Sequence, residues 1–151
     1  LAGIELVRLQ ILRDVPEIRK AFEPETHMMS ILRQSDKVLA LAPDHLEALD
    51  AQGMAHSQLA WIYQTEGLCE QVGAILDRPV SKEQVWRPQY GPYLEKAFFA
   101  LSEETRLRVA QEYGLAAEAY ARMAAANHGN IVSTCIVFFN CQNQFPLGLL
   151  I

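Results

Sequence analysis

Apolar side chains recur every three or four positions along most of the chain, which is the spacing of one face of an α-helix. Between these periodic stretches stand proline, glycine and short polar residues, which are typical of helix ends. The pattern predicts two short helices within residues 1–22 and further helices near 26–41, 43–67, 68–76, 93–101 and 103–127. We therefore expect an all-α, single-domain bundle of five to seven helices.

The stretch from Trp86 to Tyr93 interrupts the helical pattern. Two prolines and a glycine disfavour regular structure there, yet the stretch carries three aromatic residues, Trp86, Tyr90 and Tyr93. Loops often carry function, and aromatic side chains contribute strongly to binding. Together with Trp61 on the preceding long helix, these aromatics are our candidate binding residues. The alternative is that they form a lid over the core.

The last predicted helix carries a stripe of small residues. Ala110, Gly114, Ala117, Ala121 and Ala124 recur at alternating spacings of four and three, so they share one face. Small side chains allow another helix to approach closely. The stripe predicts a tight helix contact, either within the chain or between two copies, and Gly114, Ala117 and Ala121 are the candidate interface residues.

The chain after Arg122 contains no Lys, Arg, Asp or Glu. Its β-branched and aromatic residues favour an extended segment that would be prone to aggregation in water. We therefore divide the chain into a helical domain at 1–130 and an uncharged apolar segment at 131–151. We expect this segment to pack on its own domain or on another copy, with Phe138 and Phe139 as interface residues.

Composition narrows the functional classes. The chain has 151 residues, half of them apolar, with 13 basic and 18 acidic side chains and a net charge of −5. This composition excludes a mostly disordered chain. The basic residues are scattered among acids, so nucleic acid is not favoured as a partner. The longest apolar run, 131–139, is far shorter than the roughly 20 residues that a membrane span needs.

Cysteine and histidine positions give no sign of a metal centre. Cys69, Cys135 and Cys141 form no C-x-x-C pair, and the four histidines lack the spacing of metal ligands. The first apolar stretch is interrupted by charged residues and does not resemble a secretory signal. We expect reduced thiols, a cytoplasmic location, and neither a cofactor nor a metal.

Residues 31–67 resemble a junction between two tetratricopeptide repeats. The matching positions are Leu39, Leu41, Pro43, Asp44, Leu46, Leu49 and Gly53. In that family the proline separates two helix pairs, and the leucine and glycine set the close packing of the next helix. The resemblance covers about a quarter of the chain, and no second copy appears one family period away. It implies a helical hairpin, a peptide-binding groove and a protein partner.

The stretch from Arg122 to His128 looks like the Arg-x(4–6)-His motif of HEPN-domain ribonucleases. That resemblance implies an all-α domain whose Arg and His, contributed by two protomers, cleave RNA without a metal. An imidazole can move a proton near neutral pH, and a guanidinium can hold a phosphate. Met123 stands where that family usually has a polar residue. The alternative is a structural His128 near a helix C-terminus.

These observations lead to three functional hypotheses. The first is a non-enzymatic, self-associating interaction or regulatory module that binds a protein or peptide. The second is the ribonuclease that Arg122 and His128 suggest. The third is a ligand-sensing domain with an apolar pocket near Trp61, Trp86 and Tyr90.

Overall fold

The computed structural model describes residues 23–127. These residues form four α-helices, which we number in chain order: α1 (Pro24–Leu41), α2 (Leu46–Leu76), α3 (Gly91–Phe99) and α4 (Glu103–Ala126), with a 3-10 turn at Pro88–Tyr90. Within the described range there is no β-strand, so the all-α prediction is confirmed there. The two short helices predicted within 1–22, His128 and the segment 131–151 with Phe138 and Phe139 lie outside the described residues. The count of five to seven helices therefore stays a prediction.

Several helix ends are explained by local sequence signals, although α1, α2 and α3 begin two or three residues away from the predicted positions. α1 has Pro24 in its first turn, where the missing N–H of proline costs nothing. His45 caps α2, since its Nδ1 accepts a hydrogen bond from the backbone N–H of Ala48 at 3.3 Å. Ser102 caps α4 in the same way, accepting from the N–H of Thr105 at 3.1 Å. The boundaries predicted for α4 differ from the observed ones by one residue.

α2 is the central helix, and its length was not predicted. It runs for 31 residues, about 46 Å at the usual rise, so the expected stop at Gly67 is wrong. Gly67 is buried, and a Cβ placed on it would lie 2.7 Å from Leu101. This glycine therefore serves a close approach between helices rather than a helix end. α2 ends instead at Asp77, which has a left-handed φ of 51°.

α1 runs antiparallel to the N-terminal half of α2, and α4 runs antiparallel to most of its length. Gln52 on α2 donates a hydrogen bond to Asp36 on α1, and Tyr63 on α2 donates to Glu25 near the start of α1. On the other side, His56 on α2 contacts Glu112 on α4 at 2.6 Å. Part of the core thus lies between α2 and each of these two helices.

Three apolar clusters hold the helices together, and α2 contributes to each. One joins the C-terminal half of α2 to α3: Leu68, Val72, Val80, Val85, Tyr90, Ala97 and Leu101. Another joins α1, α2 and the end of α4: Leu39, Ala48, Leu49, Ala116, Tyr120 and Met123. The third lies between them: Leu59, Ala60, Ile62, Tyr63 and Val109. No helix in the described range is both long and apolar enough to cross a membrane.

The small-residue stripe of α4 faces away from this core. Ala110, Gly114, Ala117 and Ala121 are exposed, and a Cβ on Gly114 would meet no atom within 4 Å. α4 instead buries Val109, Ala116, Ala119, Tyr120 and Met123. The expectation of a close contact within the chain is wrong for the helices that the structure describes. The alternative contact, between two copies, stays a prediction.

Candidate functional site

Among residues 23–127, one side of α2 is covered along its C-terminal half and is not covered by another helix along its N-terminal half. Glu47, Asp50, Met54, Gln58 and Trp61 follow one another at spacings of three and four, so they share this side. Further along the same side, Thr65, Leu68 and Val72 are buried, the last two in the cluster formed with α3 and the segment before it. We call the open part, together with Trp86 at its border, the ledge.

The apolar end of the ledge is a pair of tryptophans. The rings of Trp61 and Trp86 are stacked, with centroids 6.2 Å apart and planes 17° from parallel. Trp86 Nε1 donates a hydrogen bond to Thr65 Oγ1 at 3.2 Å, which fixes the ring against α2. Both tryptophans and Met54 nevertheless remain 42% exposed. Three large side chains therefore present apolar surface together on one face of the fold.

The other end of the ledge is acidic. α2 contains no Lys or Arg between Leu46 and Leu76, and both Glu47 and Asp50 are exposed. The Nε2 atom of His45 lies 3.7 Å from the Glu47 carboxylate. Elsewhere on α2, the exposed Glu66 accepts a hydrogen bond from Lys82. The ledge thus runs from an apolar end at the tryptophans to an anionic end at the start of α2.

Tyr90 and Tyr93, the other two candidate binding residues, belong to the core rather than to this surface. Tyr90 is 2% exposed, and its hydroxyl accepts a hydrogen bond from Arg78 at 3.2 Å. The Arg78 guanidinium also lies 5.7 Å from the centre of that ring. Tyr93 is half-buried and packs against the same cluster. The structure therefore brings Trp61 and Trp86 together and places the two tyrosines in and against the core.

A surface depression of about 510 Å³ lies at the far end of α2, lined by Cys69, Glu70, Gly73, Asp77, Arg78, Pro79 and Val80. Its lining includes none of the aromatic residues for which a pocket was predicted. Partial burial raises the pKa of the Cys69 thiol, which favours the neutral and less reactive form. The depression therefore gives no support to the ligand-sensing hypothesis at Trp61, Trp86 and Tyr90.

Arg122 occupies a structural position in the described part of the chain. Its guanidinium donates a hydrogen bond to the backbone carbonyl of Pro43 at 3.0 Å, which ties the end of α4 to the turn between α1 and α2. His128, its proposed catalytic partner, lies outside the described residues. Residues 23–127 also contain no group of three or more His, Cys, Asp or Glu side chains that could hold a metal ion.

Sequence reasoning missed Met54, Glu47 and Asp50 as parts of the site. A signal was present, because Met54 precedes Trp61 by seven positions, or about two helical turns, and Asp50 precedes Met54 by four. Both tryptophans were recognised, but only the structure shows that residue 86 folds back onto the helix that carries residue 61.

Comparison with protein-family models, curated proteins and solved structures gives no match. The resemblances to tetratricopeptide repeats and to HEPN ribonucleases therefore remain expectations. Pro43 lies in the turn between α1 and α2, and a Cβ on Gly53 would lie 2.5 Å from the Tyr120 ring of α4. The close packing at Gly53 is thus made with α4, two helices further along the chain.

Proposed function

We propose that this chain is a non-enzymatic protein-interaction module that binds a protein or peptide partner through the ledge. The observation that carries the proposal is the stacked and half-exposed pair Trp61 and Trp86, extended by Met54 along α2. Fully burying a large apolar side chain contributes roughly 1.5–3 kcal/mol relative to leaving it in water. A partner that covers the ledge gains part of this free energy for each of the three residues.

Physical features of the ledge resemble those of protein-binding surfaces. Tryptophan is enriched among the residues that dominate binding energy at interfaces, because its large ring loses little conformational freedom when it is buried. Trp86 is already held by Thr65 and by the Trp61 ring, so binding needs little further ordering of this side chain. The ledge is thus a preorganised apolar anchor.

Self-association is the second part of the proposal, and we assign it to the outer face of α4. There Ala117 and Ala121 are exposed, and the larger side chain of Leu107 is exposed on the same helix. A second copy of the same helix could approach closely at such a face. The ledge and this face lie on different helices, so the two interactions can be tested separately.

Affinity capture with matched variants tests the binding function of the ledge. Tagged wild-type chain, the ledge variant Met54→Ser/Trp61→Ser and the control variant Leu41→Ser/Phe99→Ser are each incubated with extract from the source cells. The control changes two exposed apolar residues outside the ledge and outside the outer face of α4, Leu41 at 90% and Phe99 at 64% exposure. We expect at least one protein to be captured by both the wild type and the control variant but not by the ledge variant. If all three proteins retain the same set, the ledge is not the binding surface.

A further inference from the structure

We infer that the partner of the ledge is an amphipathic helix that lies antiparallel to α2 and carries Lys or Arg at its C-terminal end. This inference rests on the function proposed above and specifies the class of partner. It depends on three properties of the ledge: its length, the way the fold already covers the same side of α2, and the placement of charge along it.

The ledge has the dimensions of a short helix. Trp61 follows Glu47 by 14 positions, which corresponds to about 21 Å at 1.5 Å per residue. A partner helix of about four turns spans this distance. Its apolar residues at helical spacing would contact Met54 and the two tryptophans, as helices do when they bind in apolar grooves.

α3 and the segment before it pack against Leu68 and Val72 on this side of α2, and contacts at the two ends of α3 give its direction. Tyr90, just before α3, contacts Arg78 beyond the end of α2, and Leu101, just after α3, contacts Gly67 further back along α2. α3 therefore runs antiparallel to α2 over its C-terminal half. A partner helix in the same orientation would continue this packing over the N-terminal half, starting beside the tryptophan pair.

The charges of the ledge specify the polarity of the partner. With Glu47 and Asp50 exposed and no Lys or Arg on α2, the anionic end of the ledge favours a cationic partner residue. Cationic side chains are favoured at the C-terminus of a helix by its dipole. In an antiparallel arrangement the partner's C-terminus lies beside Glu47 and Asp50. A basic residue there would both neutralise these acids and complement the dipole of the partner helix.

The helix dipole of α2 accounts for Glu47 but not for Asp50. Glu47 lies in the first turn, where a negative charge complements the N-terminal dipole of α2 itself. Asp50 lies in the second turn, where that effect has largely fallen off. The segment 131–151 of this chain has no charged side chain and so cannot neutralise these acids.

Synthetic helices and tryptophan fluorescence test this inference with the full chain. The protein has two tryptophans, and both belong to the ledge, so its fluorescence reports on this surface when the peptides contain none. The probe is a capped 14-residue peptide with Leu at helical a and d positions, Lys in the last two turns and Gln elsewhere. There are three comparison peptides. The first carries the lysines in the first two turns, the second has Gln in place of every Lys, and the third has Ser in place of every Leu.

We expect the peptide with C-terminal lysines to bind most tightly and its affinity to fall as salt rises. The variant Glu47→Gln/Asp50→Asn should lose about three- to tenfold in affinity, as expected for two exposed ion pairs. The matched variant Glu104→Gln/Glu118→Gln, which removes two exposed acids on α4, should bind as wild type does.

The remaining outcomes separate this inference from the proposed function. If the Gln peptide or the peptide with N-terminal lysines binds as tightly as the probe, the inferred charge and orientation are wrong, while the ledge remains a binding surface. If no Leu-bearing peptide changes the fluorescence, both the inference and the proposed use of the ledge are overturned. Binding of a labelled peptide to the Met54→Ser/Trp61→Ser variant is measured by fluorescence anisotropy. If this variant binds the peptide as tightly as wild type does, both the inference and the proposed use of the ledge are overturned.

Discussion

Gly53 sets the distance between α2 and α4. A Cβ on this residue would lie 2.5 Å from two carbons of the buried Tyr120 ring, a separation that requires the ring or the helices to move. We expect Gly53→Ala to lower the free energy of unfolding by about 1–3 kcal/mol through overpacking. Chemical denaturation of wild type and variant measures this difference.

Gly114→Ala is the matched control for that experiment, because a Cβ there meets no atom within 4 Å. Alanine in an exposed helical position removes the entropic cost of glycine, so this variant should be more stable by roughly 0.5–1 kcal/mol. Opposite signs for the two variants support the close approach at Gly53. Stabilisation by both would show that α4 packs on α2 less tightly than the structure indicates.

The Tyr63 hydroxyl links α2 to α1 in a pH-dependent way. It donates a hydrogen bond to Glu25 at 2.9 Å, and the Arg108 guanidinium lies 3.6 Å from the centre of its ring. Burial, together with the adjacent Glu25 carboxylate, raises the pKa of Tyr63 above its ordinary value of 10.0. The stability that comes from this shift is therefore fully present below about pH 10 and is lost as pH rises through the folded-state pKa.

We expect Tyr63→Phe to cost about 1 kcal/mol at pH 8, the usual net value of such a hydrogen bond. The difference from wild type should shrink as the pH is raised above 10, because wild type then loses the proton that it donates to Glu25. Denaturation at a series of pH values measures this, and Tyr93→Phe serves as the control. A difference that stays constant with pH would contradict the assigned role of the hydroxyl.

At the scale of elements, helix ends that depend on neighbouring residues could be predicted from the sequence. Features that depend on packing between distant residues could not. The start of α4 was predicted from Ser102 because capping is a contact over three residues. The predicted helix end at Gly67 is wrong, because this glycine allows the close approach of Leu101, which lies 34 positions away in the sequence. Likewise, Trp61 and Trp86 were recognised as candidates, but the burial of Tyr90 depends on how the segment 80–90 folds onto α2.

The outer face of α4 allows the two interpretations of the small-residue stripe to be distinguished. Ala117 is exposed, so Ala117→Leu should change the stability of the isolated chain by no more than about 0.5 kcal/mol. If two copies pack through this stripe, the same change should weaken their association by obstructing the close approach. Sedimentation velocity over a range of concentrations, beside denaturation, measures both quantities.

A loss of 1–3 kcal/mol in the stability of Ala117→Leu at concentrations where the chain is monomeric would show that some part of the chain covers the stripe. Glu118→Leu is the control for added apolar surface, because residue 118 is an exposed neighbour on the same helix and is not part of the stripe. If both variants associate as wild type does, α4 is not the surface of self-association.

At the scale of the whole molecule, the ledge is a consequence of unequal helix lengths. α2 has 31 residues, whereas α3, which covers one of its sides, has nine. α4 occupies a second side along most of its length, and α1 occupies a third side along its N-terminal half. Within residues 23–127, no helix covers the N-terminal half of the side on which α3 packs, and this is where Met54 and Trp61 lie. An unmatched helix face of this kind requires either polar residues or a partner, and here it carries large apolar ones.

The uncharged segment 131–151 gives the last prediction. The three core clusters described above consist of residues within 23–127, and we expect a chain ending at residue 130 to keep its helical circular dichroism and cooperative unfolding. The segment nevertheless contains Ile131, Val132 and Phe138 among other large apolar residues, each of which gains roughly 1.5–3 kcal/mol on full burial. Because both faces of an extended segment would be apolar, we expect it to be buried between helices and a second copy. Removing it should then change the mass measured by light scattering, whereas an unchanged mass and unchanged stability would exclude a role for this segment in self-association.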